Sequence, residues 1–345
     1  MSRPAARFGV SSGGSMSSID TGVSPELLRL AIIIPVFNDW PCFSMLCRSI
    51  DRLSPAWRAR VTIIAVDDGS SDPPPQTTQL GALCNIFGFE ILSLVCNLGH
   101  QRAIAVGLAT ALAAGDFDAV IVTDADGEDR PEDIGRMIDT YRLNRNSVIV
   151  GRRAARSENI SFRAFYAIYK AVFRLSTGKS IDFGNFSLIP MTRLRSLLFM
   201  PESWNHLAAA MLRSRIHLVR LNCARGTRYV GASSMNLVSL LAHGMSAVSV
   251  FNDLVFTRLL AVSAAVGALS FSVALAAAIV RLTTQAAIPG WATTVVGISG
   301  IMFLQALILS VVASISLLGG RSNVAFIPAM QANQFIARRT SMVGS

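Results

Sequence analysis

Four carboxylates fall within six residues near the middle of the chain, directly after the apolar run Ala119–Val122. They are Asp124, Asp126, Glu128 and Asp129. So many negative charges repel each other strongly unless a cation or a ligand screens them. An Asp-x-Asp pair with a third carboxylate two residues on suits a hard divalent ion that keeps room for phosphate oxygens, Mg²⁺ or Mn²⁺. A solvated acidic turn is the alternative interpretation.

The elements around this run alternate between apolar strands and helices. Strands are predicted at 31–37, 61–66, 89–95, 119–122 and 147–150, with helices to about 53, to about 87, and over 103–113 and 133–143. This alternation predicts an α/β fold with a doubly wound, mostly parallel sheet. Ligands of such sheets bind beyond the carboxyl ends of the strands, which is where the acidic run lies. Its position therefore favours the metal interpretation.

Two further strand ends carry polar residues that suit a nucleotide. Asn38-Asp39 follows the first strand, and Asp67-Asp68-Gly69 follows the second. Carboxylates accept hydrogen bonds from ribose hydroxyls or a base, and a glycine lets the backbone come close. Asp-Asp-Gly-Ser alone is a common turn. The recurrence of such residues on successive strand ends favours the nucleotide interpretation.

Composition indicates a membrane protein. The chain has 345 residues, of which 52% are hydrophobic and 15% charged, and its mean hydropathy is +0.48. That is too apolar for an ordinary soluble enzyme and points to membrane segments. The five cysteines are odd in number and contain no Cys-x-x-Cys, so a zinc site or disulfide framework is not expected. Reduced thiols fit a cytosolic face.

Positive charge is concentrated in the second half of the chain. Residues 151–230 contain twelve arginines and two lysines against three carboxylates, within a net charge of +10 for the whole chain. Such a block could face nucleic acid, anionic lipid or phosphorylated substrates. Nucleic acid is not expected, because the basic stretch lacks a recognisable nucleic-acid motif and runs into a membrane anchor.

Four motifs in order resemble those of family-2 glycosyltransferases. They are Pro35-Val-Phe-Asn-Asp39, Val66-Asp-Asp-Gly-Ser70, Asn97-Leu-Gly-x-x-x-Ala103 and Thr123-Asp-Ala-Asp-Gly-Glu-Asp129. The resemblance covers roughly 29–260 and implies the GT-A, nucleotide-diphosphosugar transferase fold. It implies that the donor is bound by Pro35, Phe37, Asn38, Asp39, Asp67, Asp68 and Asp124. It also implies that Asp124, Asp126 and Glu128 hold the metal, with Asp126 catalytic.

The second half is similar to dolichyl-phosphate mannose synthases and undecaprenyl-phosphate glucosyltransferases. The similarity rests on Gly151-Arg-Arg153, the predicted helix 162–169, Asp182-Phe-Gly-Asn-Phe186 and Arg225-Gly-Thr-Arg-Tyr229. It implies that arginines bind the phosphates of a nucleotide-sugar donor and a lipid acceptor. The chemistry agrees, because a guanidinium group can form paired hydrogen bonds with phosphate oxygens. The candidates are Arg152, Arg153, Arg163, Arg225 and Arg228, of which Arg225 and Arg228 are expected to be catalytic together with Asp182. Each arginine alone could equally be a solvated surface residue.

One residue departs from this pattern. Asn185 stands where these relatives usually have an acid. A hydroxyl acceptor needs a general base there, whereas a phosphate monoester, with its second pKa near ~6, is already a nucleophile at neutral pH. Asn185 thus favours a polyprenyl-phosphate acceptor, with Asp182 to orient it. The family resemblance implies inversion at the anomeric carbon. A slow or inactive protein is the other consequence of this departure.

Two other functions remain open from the sequence. The first is transfer to a diacylglycerol or a polysaccharide. A processive polysaccharide synthase would carry Gln-x-x-Arg-Trp and more membrane spans. The second is a non-catalytic membrane subunit that only binds nucleotide. His100 lies near the expected donor site, where a structural role is as plausible as a functional one.

The C-terminal third is expected to bind the membrane. Apolar residues recur at helical spacing from Asn236 to Phe251, which predicts an amphipathic interfacial helix, with a core helix as the alternative. Two uncharged stretches of membrane-spanning length follow. Basic residues flank the pair on one side, which predicts an inner-membrane, multi-pass protein with a cytosolic catalytic domain. The predicted segments are a disordered tail (1–24), the catalytic domain (25–235), the interfacial helix (236–257), two transmembrane helices within 258–320 (about 259–280 and 292–318) and a cytosolic tail (321–345). Homo-oligomerisation stays open.

Overall fold

The computed structural model describes residues 27–75, 83–153, 171, 173–231, 237–284, 290–322 and 325–343. The predicted N-terminal tail (1–24), the predicted helix 162–169 and the candidate Arg163 lie outside the described residues. So does the side chain of Arg153. These expectations stay predictions.

A mixed sheet of eight strands forms the centre of the described catalytic region, in the order β7-β5-β6-β4-β1-β2-β3-β8. Its strands are β1 (Leu28–Val36), β2 (Ala59–Asp67), β3 (Gly88–Leu94), β4 (Ala119–Val122), β5 (Val148–Arg153), β6 (Ser187–Pro190), β7 (Leu218–Cys223) and β8 (Ile336–Val343). The first four strands pair in parallel, whereas β6 runs antiparallel to both β4 and β5. The carboxyl ends of β1, β2 and β4 therefore lie side by side at one edge of the sheet.

Helices cover both faces of this sheet. In chain order the described helices are α1 (Trp40–Leu53), α2 (His100–Ala114), α3 (Pro131–Leu143), α4 (Met191–Leu198), α5 (Leu207–Arg213), α6 (Leu237–Ser249), α7 (Asn252–Thr283), α8 (Trp291–Ser322) and the short α9 (Pro328–Gln331). The cores on the two faces of the sheet are formed with α1 to α5 and α9, whereas α6, α7 and α8 lie outside them. Strand residues alternate between two cores, since Ile32 and Ile34 pack with α1 and α3 whereas Ile33 packs with α2 and α4. β1 is buried on both faces, which explains its continuous apolar sequence.

Two long apolar helices follow the catalytic region. The helices Asn252–Thr283 and Trp291–Gly319 are long and apolar enough to cross a membrane, and only 17% and 11% of their most apolar windows are buried. A core helix of a soluble domain would be mostly buried instead. They pack against each other, with the Phe271 and Phe303 rings 6.2 Å apart. The expected fold class, a mostly parallel α/β sheet followed by a pair of apolar helices, is confirmed.

The segment after α8 returns to the catalytic region. β8 pairs antiparallel with β3, and Arg339 contacts the buried Glu90 across that pair, with Nη2 and Oε2 3.0 Å apart. Phe326 and Phe335 stack against Trp204, with centroids 4.3 and 5.4 Å from its ring. Sequence reasoning assigned no strand here. Because of this return, both ends of the helix pair are attached to the same α/β unit.

The segment before β3 also differs from the sequence prediction. The helix predicted after Pro75 was expected to reach Phe87, but the described residues 83–87 are not helical. Phe87 instead extends the pairing of β3 with β2, since its backbone N–H donates to the carbonyl of Val61 at 2.8 Å. The helix α6 ends at Ser249 and α7 begins at Asn252, so the chain bends at 250–251 before the apolar span.

Candidate functional site

The loops that follow β1 and β2 are held together by Asn38. Its backbone φ is 53°, in the left-handed region that asparagine tolerates better than most residues. Its amide oxygen accepts from the backbone N–H of Ser71 at 2.8 Å, and its own N–H donates to the Ser70 hydroxyl at 3.0 Å. Asn38 thus orders the two predicted donor-binding loops relative to each other.

Asp68 fixes the loop that follows β3. Its two carboxylate oxygens accept from the backbone N–H groups of Leu98 and Gly99, at 2.7 and 2.9 Å. Burial raises the pKa of Asp68, and these two donors act against that rise. The neighbouring Asp67 accepts from the N–H of Ser70 at 2.9 Å. Both aspartates therefore shape their loops, whatever further contacts they make with a ligand.

Gly69 permits this arrangement. Its φ is +74°, and a Cβ at this position would lie 2.8 Å from the backbone nitrogen of Asn97. Any side chain would both strain the backbone and separate the second and third loops. A cleft opens beside these loops, lined by Pro35, Phe37, Asp68, Asn97, Gly99 and His100. Phe37 is 51% exposed, so its ring is free to pack against a flat ligand such as a base.

The acidic loop after β4 lies against the loop 224–230, which follows β7. Asp129 and Arg225 form an isolated antiparallel bridge, and the N–H of Tyr229 donates to the carbonyl of Asp126 at 3.0 Å. Gly127, with φ +85°, lies under the Tyr229 ring, and a Cβ there would be 2.5 Å from the nearest ring atom. Backbone pairing therefore sets the distance between the acidic loop and the arginines opposite it.

These arginines bind the predicted metal-binding carboxylates. Arg228 contacts Asp39 with its Nη2 at 2.5 Å and Asp126 with its Nη1 at 3.1 Å. Arg225 contacts Glu128 at 2.6 Å. Burial, with the charges of Asp124 and Glu128, raises the pKa of Asp126, and the backbone N–H of Glu128 and the charge of Arg228 offset only part of that rise. The guanidinium groups therefore reduce the repulsion between these carboxylates without removing it.

A chain of side chains leads from Asp124 to the start of α5. His100 Nε2 lies 3.2 Å from Asp124 Oδ1 and 3.2 Å from Asn185 Nδ2. Gln101 donates to Asn185 Oδ1 at 3.1 Å and accepts from the N–H of Leu207 at 2.9 Å. Crowding by protein atoms lowers the pKa of His100, but the carboxylates around it, Asp124 foremost, raise it more, and the net pKa is raised. Sequence reasoning missed Gln101, although it lies within the motif that carries His100.

Asp182 and Arg152 form a second group. Asp182 lies 3.5 Å from Arg152 Nε and 3.2 Å from Arg220 Nε. Arg220 lies on β7 outside every motif, so the sequence offered no signal for it. Asp182 lies three residues before Asn185, so this short segment connects the second group to the side chains around His100. Of the candidate arginines with described side chains, Arg225 and Arg228 reach the acidic loop and Arg152 reaches Asp182.

The carboxylate oxygens of the acidic loop are compatible with Mg²⁺ or Mn²⁺ as ligands. Within the described ranges, no three His, Cys, Asp or Glu side chains lie so that they could together hold a metal ion. A complete cage is not required, because Mg²⁺ is commonly held by one or two carboxylates with substrate phosphates and water supplying the other oxygens. Asp124 and Asp126 provide hard oxygen ligands at a strand end. The ligand set Asp124, Asp126 and Glu128 stays a prediction.

Comparison with known proteins gives one family match and several relatives. Residues 31–213 match the model described as Glycosyl transferase family 2. The undecaprenyl-phosphate 4-deoxy-4-formamido-L-arabinose transferase of Proteus mirabilis is 28% identical over 163 residues, covering 46% of this chain and 48% of that protein. The protein of the same name from Pectobacterium carotovorum is 29% identical over 167 residues, covering 46% and 47%. The chain thus spans about half the length of these relatives.

Two more similarities extend over a larger share of the chain. An uncharacterized glycosyltransferase of Bacillus subtilis is 26% identical over 238 residues, covering 65% of this chain and 67% of that protein. Among solved structures, glucosyl-3-phosphoglycerate synthase of Mycobacterium tuberculosis with Mn²⁺, UDP and phosphoglyceric acid aligns with a TM-score of 0.47. It is 12% identical, and the alignment covers 66% of this chain and 78% of that one.

Proposed function

Because this chain belongs to glycosyl transferase family 2, we propose that it moves a sugar from a nucleotide diphosphate to a polyprenyl phosphate at a membrane. One observation carries the proposal. Carboxylates that follow β1 and β4, Asp39 and Asp126, meet on a single guanidinium, Arg228, in a unit that also carries the cleft at Phe37 and is followed by two apolar helices. The undecaprenyl-phosphate transferases named above support the choice of acceptor.

The donor nucleoside would lie in the cleft beside Phe37. The Phe37 ring packs on the base, while Asp39 accepts hydrogen bonds from the nucleoside and Pro35 and Asn38 hold the loop around it. Asp67 and Asp68 keep the second and third loops in place. Asp39 also contacts Arg228, so a nucleoside bound to Asp39 would share or displace this contact.

The diphosphate would lie between the acidic loop and the arginines. Asp124 and Asp126, with Glu128 nearby, would hold Mg²⁺ or Mn²⁺, which when bound supplies positive charge to the departing diphosphate. Arg225 and Arg228 already contact the acidic loop, and their guanidinium forks match phosphate oxygens in pairs. Stabilising negative charge as it builds on the leaving group is the main catalytic contribution expected of them.

The acceptor would approach from the side of Asp182 and Asn185. A phosphate monoester needs no deprotonation at neutral pH, so an amide at Asn185 is compatible with attack on the anomeric carbon and inversion there. Arg152 and Arg220, paired with Asp182, offer cations for the acceptor phosphate. Arg153 and Arg163 are proposed for the same task from sequence alone.

The α7–α8 pair would anchor the enzyme in an inner membrane as a two-span hairpin. β8 pairs with β3 after α8, so the chain enters and leaves the hairpin on the side of the catalytic unit. Basic residues flank the hairpin on that side, which is the pattern of a cytosolic face. The lipid phosphate would then be reached at the cytosolic leaflet.

Purified full-length protein in detergent tests the proposal, with undecaprenyl phosphate, Mg²⁺ or Mn²⁺, and a panel of UDP- and GDP-sugars. We expect a lipid-linked product with the phosphate and none with the free lipid alcohol. Turnover on diacylglycerol or a glycan alone would replace the acceptor. Nucleotide binding without turnover on any acceptor would indicate a non-catalytic subunit.

A further inference from the structure

A cluster of cations lies where the catalytic unit meets the first apolar helix. It consists of Arg174 and Lys179, on a short helical turn and the loop after it, and Arg258, one residue before the uncharged run of α7. All three are exposed. We refer to Arg174, Lys179 and Arg258 as the juxtamembrane cations.

The position of this cluster is fixed by packing. Phe173, at the start of the turn, is buried and meets Phe251 edge to face at 5.8 Å, in a small core shared with α5, α6 and the start of α7. Arg258 donates to the carbonyl of Leu175 at 2.6 Å, and its guanidinium lies against Gly178. The turn is thereby held at the level at which α7 becomes uncharged.

Two features of the cluster point to a ligand. Leu175 is 80% exposed, which is costly in water and favourable in the apolar part of a bilayer surface. No carboxylate occurs between residues 171 and 181. The next carboxylate along the chain, Asp182, is engaged with Arg152 and Arg220, and Asp253, on α7, is engaged with Arg213 at 2.7 Å. Among the described residues, the charged groups of Arg174 and Lys179 have no acidic partner.

We propose that the juxtamembrane cations bind the phosphate headgroups of anionic phospholipids, with Leu175 inserted beside them. Long basic side chains near a membrane surface place their stems along apolar surface and their charges at headgroup level. Each such residue near an anionic leaflet contributes favourably, and the attraction falls off within a Debye length. This inference rests on the membrane insertion proposed above but not on the transferase reaction, and the site lies outside the donor and acceptor residues assigned there.

Lipid binding to the intact protein tests this inference. Full-length protein in a neutral detergent is titrated with phosphatidylglycerol, and bound lipids are counted by native mass spectrometry. The test variant is Arg174→Gln with Lys179→Gln. Arg258 is left intact because it supports the turn. The control is Arg60→Gln with Arg145→Gln, which removes the same charge from exposed positions at the amino ends of β2 and β5.

We expect the test variant to lose affinity for phosphatidylglycerol by about tenfold, and the control to keep it. Binding to the wild type should weaken with added salt, and phosphatidylcholine should not compete. Unchanged phosphatidylglycerol binding in the test variant would overturn the proposal. A test variant that loses undecaprenyl-phosphate binding but keeps phosphatidylglycerol binding would also overturn the proposal, because the cluster would then belong to the acceptor site. Equal melting temperatures of the two variants without lipid would exclude misfolding. Binding of the donor nucleotide is measured in parallel and reports separately on the transferase site.

Discussion

Arg228 contacts Asp39 and Asp126 at once, although they precede it by 189 and 102 residues in the chain. The two carboxylates follow β1 and β4, which are neighbours in the sheet. The guanidinium therefore fills the space between two strand ends in which a donor diphosphate would bind. The first two predictions concern this contact.

We expect Arg228→Ala to lower kcat/KM for the nucleotide sugar by about 100-fold, because one preorganised cationic donor to the leaving diphosphate is lost. The measurement is initial rate against donor concentration, with Arg145→Ala, an exposed arginine stacked on Tyr141, as the control. A kcat/KM within a factor of two of wild type would remove Arg228 from the diphosphate site.

Asp126→Asn should abolish most metal-dependent turnover, by about 10³-fold, since the amide keeps the shape but loses the anionic ligand. Binding of Mn²⁺ with UDP, followed by electron paramagnetic resonance, should weaken in parallel. The matched control is Asp139→Asn, which removes an exposed carboxylate paired with Arg142 on α3. Full activity of Asp126→Asn would contradict the proposed metal site.

Gly127→Ala should damage the site more than Gly115→Ala does. Both glycines have positive φ, +85° and +73°, so each change costs about 1 kcal/mol or more in backbone strain. Only Gly127 faces a ring, that of Tyr229, whereas nothing lies within 4 Å of a Cβ at Gly115. We expect activity to fall for Gly127→Ala and to survive in Gly115→Ala.

Adding Tyr229→Ala to Gly127→Ala should restore part of the activity, if the clash with the ring is the cause. The measurement is kcat/KM of the two single variants and the double variant, which isolates the coupling between the two positions. Strictly additive losses would mean that the ring is not what excludes a side chain at Gly127.

Arg339→Ala should destabilise the catalytic unit by about 3 kcal/mol, because it leaves the buried carboxylate of Glu90 without its cation. The double variant Glu90→Gln with Arg339→Ala should recover much of this loss. Thermal unfolding in detergent measures both, with Arg338→Ala as the control on the same strand. Equal melting temperatures of Arg339→Ala and Arg338→Ala would show that β8 does not depend on this pair.

Cys42 should resist alkylation in the native protein. Burial, and next the hydrogen bond with Asp39, raise the pKa of its thiol to about 11. Because the raised pKa favours the protonated form, almost no reactive thiolate exists near neutral pH. Iodoacetamide labelling near neutral pH, read by peptide mass spectrometry, should modify the exposed Cys96 and spare Cys42. The Cys42 thiol lies 3.6 Å from the carbonyl oxygen of Val230, so rapid native labelling of Cys42 would mean that the loop around Val230 opens.

The sequence by itself determined the strands β1 to β5, the order of the loops that follow them and the two apolar helices, but not β6, β7 or β8. β1 and β2 contain the apolar runs Leu30–Val36 and Ile63–Val66, and β4 is apolar throughout. Such runs specify buried parallel strands because both faces must be covered. Uncharged stretches of membrane-spanning length are equally local signals. The polar residues that follow these strands, Asp39, Asp68 and Asp126, could be assigned to one edge from strand direction alone.

Only the tertiary structure decided which charges meet. The pairing of Arg228 with Asp39 and Asp126, and of Asp182 with Arg220, depends on strand neighbours that are distant in sequence. Local pattern carries no information about such pairs, because any of the arginines in 151–230 has the same chemistry. The addition of β8 to β3 was decided in the same way. A strand joins the edge of a sheet by hydrogen bonds to the unpaired backbone N–H and C=O groups there. Because every residue except proline carries both groups, the side-chain pattern of a sequence does not show which segment will pair.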